Sequence, residues 1–175
     1  VVGGKDLVQE IYDFARATGP SLSPFNAWVL SKSVETLEVR MEKHSENALV
    51  AAQWLEGRPG VASVRYPFLR SHPQYKIAKR QMSGGGGVLA FTVEGGLEQG
   101  KRFMDSVKLC SLTANLGDTR TIVSHPASTT HAKLTEEERQ AVGITPGLIR
   151  ISVGLEDLRD VIADVDQALK ASAAS

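Results

Sequence analysis

Residues 25–56 contain no glycine and no proline, in a chain of 175 residues that holds 16 Gly and 7 Pro. This run limits the possible folds more than any other feature, because Gly and Pro are the residues that end helices. Ser23-Pro24 opens it, with Ser as N-cap and Pro at the first helical position, where its missing N–H costs nothing. Gly57, Pro59 and Gly60 close it. Phe25, Trp28, Val29, Leu37, Met41, Leu49, Ala52 and Leu55 carry its apolar face. The pattern predicts a long connecting helix over 23–56, bridging two domains. A bend is expected around residues 31–39, where Ser and β-branched side chains weaken helix propensity.

On either side the pattern changes. Leu7, Ile11 and Phe14 predict a helix over 5–17, stopped by Gly19-Pro20. Beyond Gly60, strand and helix signals alternate. A short strand is marked by Val61, Val64 and Tyr66, and a helix runs from Pro73 to Met82. Strands over 88–93, 109–112 (weak) and 148–153 are interleaved with an amphipathic helix over 97–107. Thr135 and Glu138 form a capping box before a short helix that Gly143 ends. Leu155, Leu158, Val161, Ile162, Val165 and Leu169 mark a final helix. The alternation predicts an α/β domain over 57–175. Val1-Val-Gly-Gly4 has no charged region before an apolar stretch. It reads as the end of a buried strand in a longer chain rather than as a signal peptide.

Charge and cysteine content narrow the function classes. Lys+Arg and Asp+Glu are both 20, and a zero balance argues against a dedicated nucleic-acid binder. No apolar run approaches the roughly 20 residues that span a bilayer. The one cysteine, Cys110, excludes an internal disulfide and fits a reducing compartment. Its apolar setting, Val107-Lys-Leu-Cys110, predicts a buried, blunted thiol rather than a nucleophile.

Gly84-Gly-Gly-Gly87 runs into a strand rather than a helix, so it reads as a flexible turn and not a phosphate cradle. His125 and His131 are six residues apart, a spacing that fits neither helical nor strand metal ligation, and read as parts of a hydrogen-bonded loop. Arg150 stands apart. In Leu148-Ile-Arg-Ile-Ser-Val153 the strand period puts Ile149, Ile151 and Val153 on one face and Arg150 with Ser152 on the other. A guanidinium there fits either a solvated face or structural ion pair, or a planar fork for a carboxylate. Asn115-Leu-Gly-Asp118 is explained by turn chemistry, or presents backbone N–H groups and an amide to a ligand.

Together these segments resemble the Cys/Met-metabolism family of pyridoxal phosphate (PLP) enzymes. The matching stretches, in order, are Ser23-Pro-Phe-Asn-Ala-Trp28, Glu35-Thr-Leu37, Arg40-Met-Glu-Lys-His44, Asn47-Ala48, Asn115-Leu-Gly-Asp-Thr119, His125-Pro-Ala-Ser-Thr-Thr-His131 and Arg150-Ile-Ser-Val-Gly-Leu-Glu156. Two features, Lys32-Ser-Val-Glu-Thr-Leu37 and Asn115-Leu116-Gly117-Asp118, resemble the O-succinylhomoserine sulfhydrylase branch. The cystathionine γ-synthase and lyase branches usually carry Arg-Gly-Leu-Lys-Thr-Leu and Ser-Leu-Gly-Gly at these places. Ser33 departs from the sulfhydrylase branch as well.

The resemblance implies the C-terminal part of an α/β, fold-type I PLP-dependent transferase. Residues 1–22 would be the edge of the PLP-binding domain, 23–56 the connecting helix and 57–175 the C-terminal domain. It implies γ-replacement on an O-acylhomoserine, with sulfide displacing succinate to give homocysteine for methionine biosynthesis. The cofactor, pyridoxal 5'-phosphate, would be held covalently by a lysine upstream of Val1, since Lys5 does not match that position. The chain would then hold no catalytic, cofactor-binding or metal residue of its own. Arg150 would clamp the substrate carboxylate, Asn115 and the backbone at Leu116 would complete that site, and Thr130 would order its wall. The implied partners are the upstream portion of the same enzyme and further copies in a cytoplasmic homotetramer, with no nucleic acid and no membrane. The rivals are cystathionine γ-synthase or γ-lyase chemistry within the family, and a non-catalytic C-terminal binding module. The intact Arg150 and Asn115 segments oppose the module, which has no physical need of them.

Overall fold

The computed structural model describes residues 1–173, which divide after Leu37 into two units. In the first unit, α1 (Lys5–Thr18) ends where Gly19 turns left-handed at φ +79° and returns its N–H to the Ala15 carbonyl at 2.9 Å. Helix α2 (Pro24–Val34) starts as the sequence predicts: the Ser23 hydroxyl accepts the Asn26 N–H at 3.2 Å.

The breaker-free run is two helices rather than one. Helix α2 stops at Val34, Glu35 and Thr36 form a turn, and α3 (Leu37–Leu55) begins inside the region where a bend was expected. The physical reason lies in the side chains. Ser33 Oγ donates to the Val29 carbonyl one turn back, at 2.7 Å, and such back-bonding loosens a helix just before β-branched Val34 and Thr36.

The second unit, from Glu38 onward, is built on a five-stranded mixed sheet of order β1-β2-β5-β4-β3. Its strands are β1 (Val61–Arg65), β2 (Val88–Val93), β3 (Ser111–Leu112), β4 (Ile122–Ser124) and β5 (Leu148–Ser152). All neighbours pair antiparallel except β3 and β4, which run parallel. Between them lie α4 (Tyr75–Gln81), α5 (Gly96–Ser106), a 3-10 turn (Pro126–Ser128), α6 (Glu136–Ala141) and α7 (Leu158–Ala173). Helix α6 carries the expected capping box, with Thr135 and Glu138 satisfying each other's N–H groups.

Register decides which face is buried. Leu89 lies opposite Ile151, Phe91 opposite Ile149, and Val123 opposite Ile151. These side chains share one face and form a single core with Ala48, Ala52 and Leu55 of α3, Phe103 of α5, and Val161, Val165 and Ala168 of α7. Phe91 and Phe103 meet edge to face, centroids 5.6 Å apart. Burying side chains of this size contributes roughly 1.5–3 kcal/mol each. The opposite face carries Ala90, Ser124, Arg150 and Ser152. Strand β4 is the one strand the sequence did not reveal. Three residues are too few to show alternation, and all three are buried.

Candidate functional site

Arg150 sits at the centre of β5, flanked by Ala90 on β2 and Ser124 on β4. Its side chain is half-buried. Its Nη2 donates to the Ala114 carbonyl at 2.7 Å and reaches the Asn115 carbonyl at 3.4 Å. Among the described residues no carboxylate lies within 4 Å of the guanidinium. The structural ion pair that the sequence left open is therefore not formed. A guanidinium offers five N–H donors, and most of these are unspent.

The loop bearing Asn115 and Leu116 is tied to the segment that follows β5. The Glu156 carboxylate accepts the backbone N–H of Thr121 at 2.6 Å and its hydroxyl at 2.9 Å. The same hydroxyl oxygen accepts the Gly154 N–H at 2.9 Å, and the Leu155 N–H reaches the Thr119 carbonyl at 2.8 Å. A Cβ at Gly154 would collide with the backbone of Thr119 and Arg120, so this crossing requires glycine. Asn47 of α3 donates to the Gly154 and Glu156 carbonyls, and the His44 Nδ1 lies 2.6 Å from the Val153 carbonyl, to which it donates. The run Arg150–Glu156 is thus a strand that presents a guanidinium, followed by a clamp that fixes the loop contacting it. Within the loop, Gly117 is left-handed at φ +90°. The Arg120 guanidinium, through its hydrogen bonds to Asp118, holds that carboxyl down to about 2.

The structure brings Arg150 and the Asn115 backbone together. The side chain of Leu116 is exposed. The hydroxyl of Thr130 is hydrogen-bonded to its own neighbour, the Nδ1 of His131, at 2.8 Å, and makes no bond to Arg150 or Asn115. His125, in the same run, is fully buried. Its Nε2 donates to the Pro146 carbonyl at 2.7 Å, and its Nδ1 accepts the Ser128 hydroxyl at 2.8 Å. That tautomer follows from the carbonyl, which can only accept. Burial lowers the pKa of the ring, and the Pro146 carbonyl only partly opposes this. Gly100 of α5 touches the His125 ring so closely that a Cβ there would collide with it.

Sequence reasoning missed Ser124. It is 3% exposed and its Oγ has no hydrogen-bond partner. Its place opposite Arg150 depends on β4, and no local pattern marks that strand. A groove of about 420 Å3 next to this region is lined by Lys101, Asp105, Thr113, Ala114, Ser124 and Thr129, among others. A larger groove, about 700 Å3, follows β1 and includes none of Arg150, Asn115, Leu116 and Thr130.

Two further segments have structural explanations. The tetraglycine turn is anchored rather than flexible: a Cβ at Gly85 would collide with the Tyr66 ring, whose hydroxyl donates to the Gly86 carbonyl at 2.9 Å. Cys110 is buried in the core. Burial, reinforced by the nearby Asp164 carboxylate, pushes its thiol pKa up, so the thiolate is disfavoured.

Fold and site together define an α/β domain with a half-buried arginine in its central strands that has no acidic partner among the described residues. Comparison with known proteins makes the class specific. Residues 1–170 match the Cys/Met metabolism PLP-dependent enzyme family, and the chain belongs to that family, whose cofactor is pyridoxal phosphate. It is 48% identical over 171 residues to the O-succinylhomoserine sulfhydrylase of Pseudomonas aeruginosa, covering 98% of this chain and 42% of that protein. It is 47% identical over 171 residues to the L-methionine gamma-lyase of Porphyromonas gingivalis, covering 97% and 43%. It is 45% identical over 174 residues to the O-succinylhomoserine sulfhydrylase of Mycobacterium tuberculosis, covering 97% and 43%. The chain therefore spans less than half the length of these relatives.

Proposed function

We propose that this chain is the substrate-carboxylate wall of a PLP-dependent sulfhydrylase of fold type I acting on an O-acylhomoserine, with O-succinylhomoserine and sulfide as the substrates and homocysteine as the product. The carrying observation is the guanidinium of Arg150, held on the Ala114 and Asn115 carbonyls with no carboxylate partner among the described residues. A cation with unspent donors fits the carboxylate of an amino acid and does not fit the cationic ring nitrogen of the cofactor. When bound, the cofactor supplies an electron sink for the amino acid.

Arg150 would take the α-carboxylate end-on, and the fork fixes both its position and its plane. That plane sets which bond at the α-carbon stands perpendicular to the cofactor ring, so the contribution is orientation. The Ala114 and Asn115 carbonyls hold the resting guanidinium, and the Glu156–Thr121–Gly154 clamp fixes the segment that follows their loop. Buried, neutral His125 would stiffen the wall without exchanging protons with substrate.

A lyase reading is carried by the similarity to L-methionine gamma-lyases at nearly the same identity. One assay of the full-length holoenzyme separates the two. Supplied with O-succinylhomoserine and sulfide, a sulfhydrylase forms homocysteine. Supplied with methionine alone, a lyase releases methanethiol. Dominant methanethiol release would replace the sulfhydrylase assignment while leaving the carboxylate wall intact.

A further inference from the structure

Two polar groups on the same face of the sheet have unmet hydrogen-bonding capacity. Ser124 and Arg150 are directly paired across the antiparallel β4/β5 ladder. Side chains so paired stand on one face with Cβ atoms about 4.5–5.5 Å apart. Ser124 is 3% exposed and its hydroxyl has no partner. Arg150 spends its Nη2 on the carbonyl of Ala114, which follows β3 on the far side of β4, and has no acidic partner among the described residues. Buried hydroxyls are rarely left unpaired, and an unpaired one calls for an explanation.

We propose that Ser124 is a positioning residue for the carboxylate clamp. Its Oγ accepts the Nε–H of Arg150 when a carboxylate is bound. The structure shows the parked arrangement, with Nη2 on the loop carbonyls. In the engaged arrangement the guanidinium turns so that Nε–H meets the Ser124 hydroxyl, and the two Nη groups face outward as a fork. With Nε–H on Ser124, Nη2 is released from the Ala114 and Asn115 carbonyls, and both Nη groups serve the carboxylate. Ser124 is too deeply buried to reach substrate itself, so it acts through Arg150. The inference rests on the carboxylate reading of Arg150.

The test uses the full-length holoenzyme and a probe that differs only in its carboxylate. Glycine and methylamine are titrated by calorimetry into wild type, Ser124→Ala, Arg150→Ala and the double variant. Ser124→Ala is expected to weaken glycine about 3- to 10-fold, the size of one hydrogen bond, and to leave methylamine unchanged. In the Arg150→Ala background the Ser124 change should have no further effect. With O-succinylhomoserine the loss should fall on KM rather than kcat. The melting temperature of Ser124→Ala should equal or exceed that of wild type, since the parked hydroxyl has no bond to lose. If it melts lower, Ser124→Cys, which keeps a weak acceptor, carries the same comparison and should weaken glycine less than Ser124→Ala does. Glycine affinity unchanged by loss of the Ser124 hydroxyl would overturn the proposal, and so would an equal loss for methylamine. Arg150→Ala binding glycine normally would instead overturn the carboxylate reading beneath it.

Discussion

The Nη2 of Arg150 donates to the carbonyl of Ala114 at 2.7 Å, joining the middle of β5 to the residue just before Asn115. This bond, with the longer contact to the Asn115 carbonyl at 3.4 Å, holds the guanidinium while leaving most of its donors unspent. In the full-length enzyme, Arg150→Ala is expected to lower kcat/KM by about 30- to 4000-fold, the effect of truncating a charge-assisted bidentate contact. The cofactor absorbance of the resting enzyme should not change. Arg150→Lys should recover only part of the loss, because an ammonium cannot reproduce the planar fork. Near-wild-type turnover in Arg150→Ala would place the clamp elsewhere.

Asp164 of α7 is a second carboxylate with a defined task. Its oxygens accept the backbone N–H groups of Lys108, Leu109 and Cys110 at 2.8–2.9 Å. Burial pushes its pKa up, but these bonds and the Gln167 amide outweigh burial, so the net shift is downward. The group therefore adds stability above its unfolded pKa, about 3.9, and that stability is lost as pH falls through its folded value. Asp164→Asn should cost about 2–4 kcal/mol at neutral pH and flatten the stability curve below about pH 4. Urea titrations at pH 7 and pH 3 check this. An unchanged acid limb would show that another carboxylate carries it.

His125 predicts a pH dependence at milder acidity. Its folded pKa lies below the unfolded value because burial disfavours the charged ring. The unfolded chain therefore takes up the proton first, and stability should fall as pH drops below about 6.5. His125→Gln should remove that slope while lowering stability at neutral pH. Melting temperatures across pH 5–8 for both proteins make the comparison.

Gly100→Ala tests the same wall without changing a titratable group. The added methyl meets the His125 ring, and relief requires displacing either α5 or the turn at Pro126–Ser128. A loss of about 1–3 kcal/mol in denaturant unfolding is expected. A neutral effect would mean that the ring moves freely.

The two helices of the first unit expose Leu7, Phe14, Phe25 and Trp28, each more than half accessible. Apolar exposure on this scale favours association. The chain on its own should self-associate in sedimentation velocity, and Phe14→Ser with Trp28→Ser should shift it toward monomer. A monodisperse wild-type monomer would count against this.

Local chemistry was legible in the sequence because it acts over a few residues. Ser23-Pro24 starts α2, the Gly19 turn ends α1, Thr135 and Glu138 cap α6, and alternation around Arg150 separates the apolar core face from the face that carries the arginine. Each is a consequence of backbone donors left open at helix ends or of the two-residue period of a strand. The family, too, was readable, since its motifs lie in order along the chain. Tertiary structure decided the rest. Strand β4 exists because β5 and β3 offer it edges on both sides, and no three-residue segment announces such a place. That strand is what sets Ser124 against Arg150, and the clamp from Glu156 to Thr121 is what brings Ala114 and Asn115 beneath the guanidinium. Partners separated by 26 or 36 positions are chosen by how the sheet closes, and pairing across a sheet leaves no mark in the local sequence of either partner.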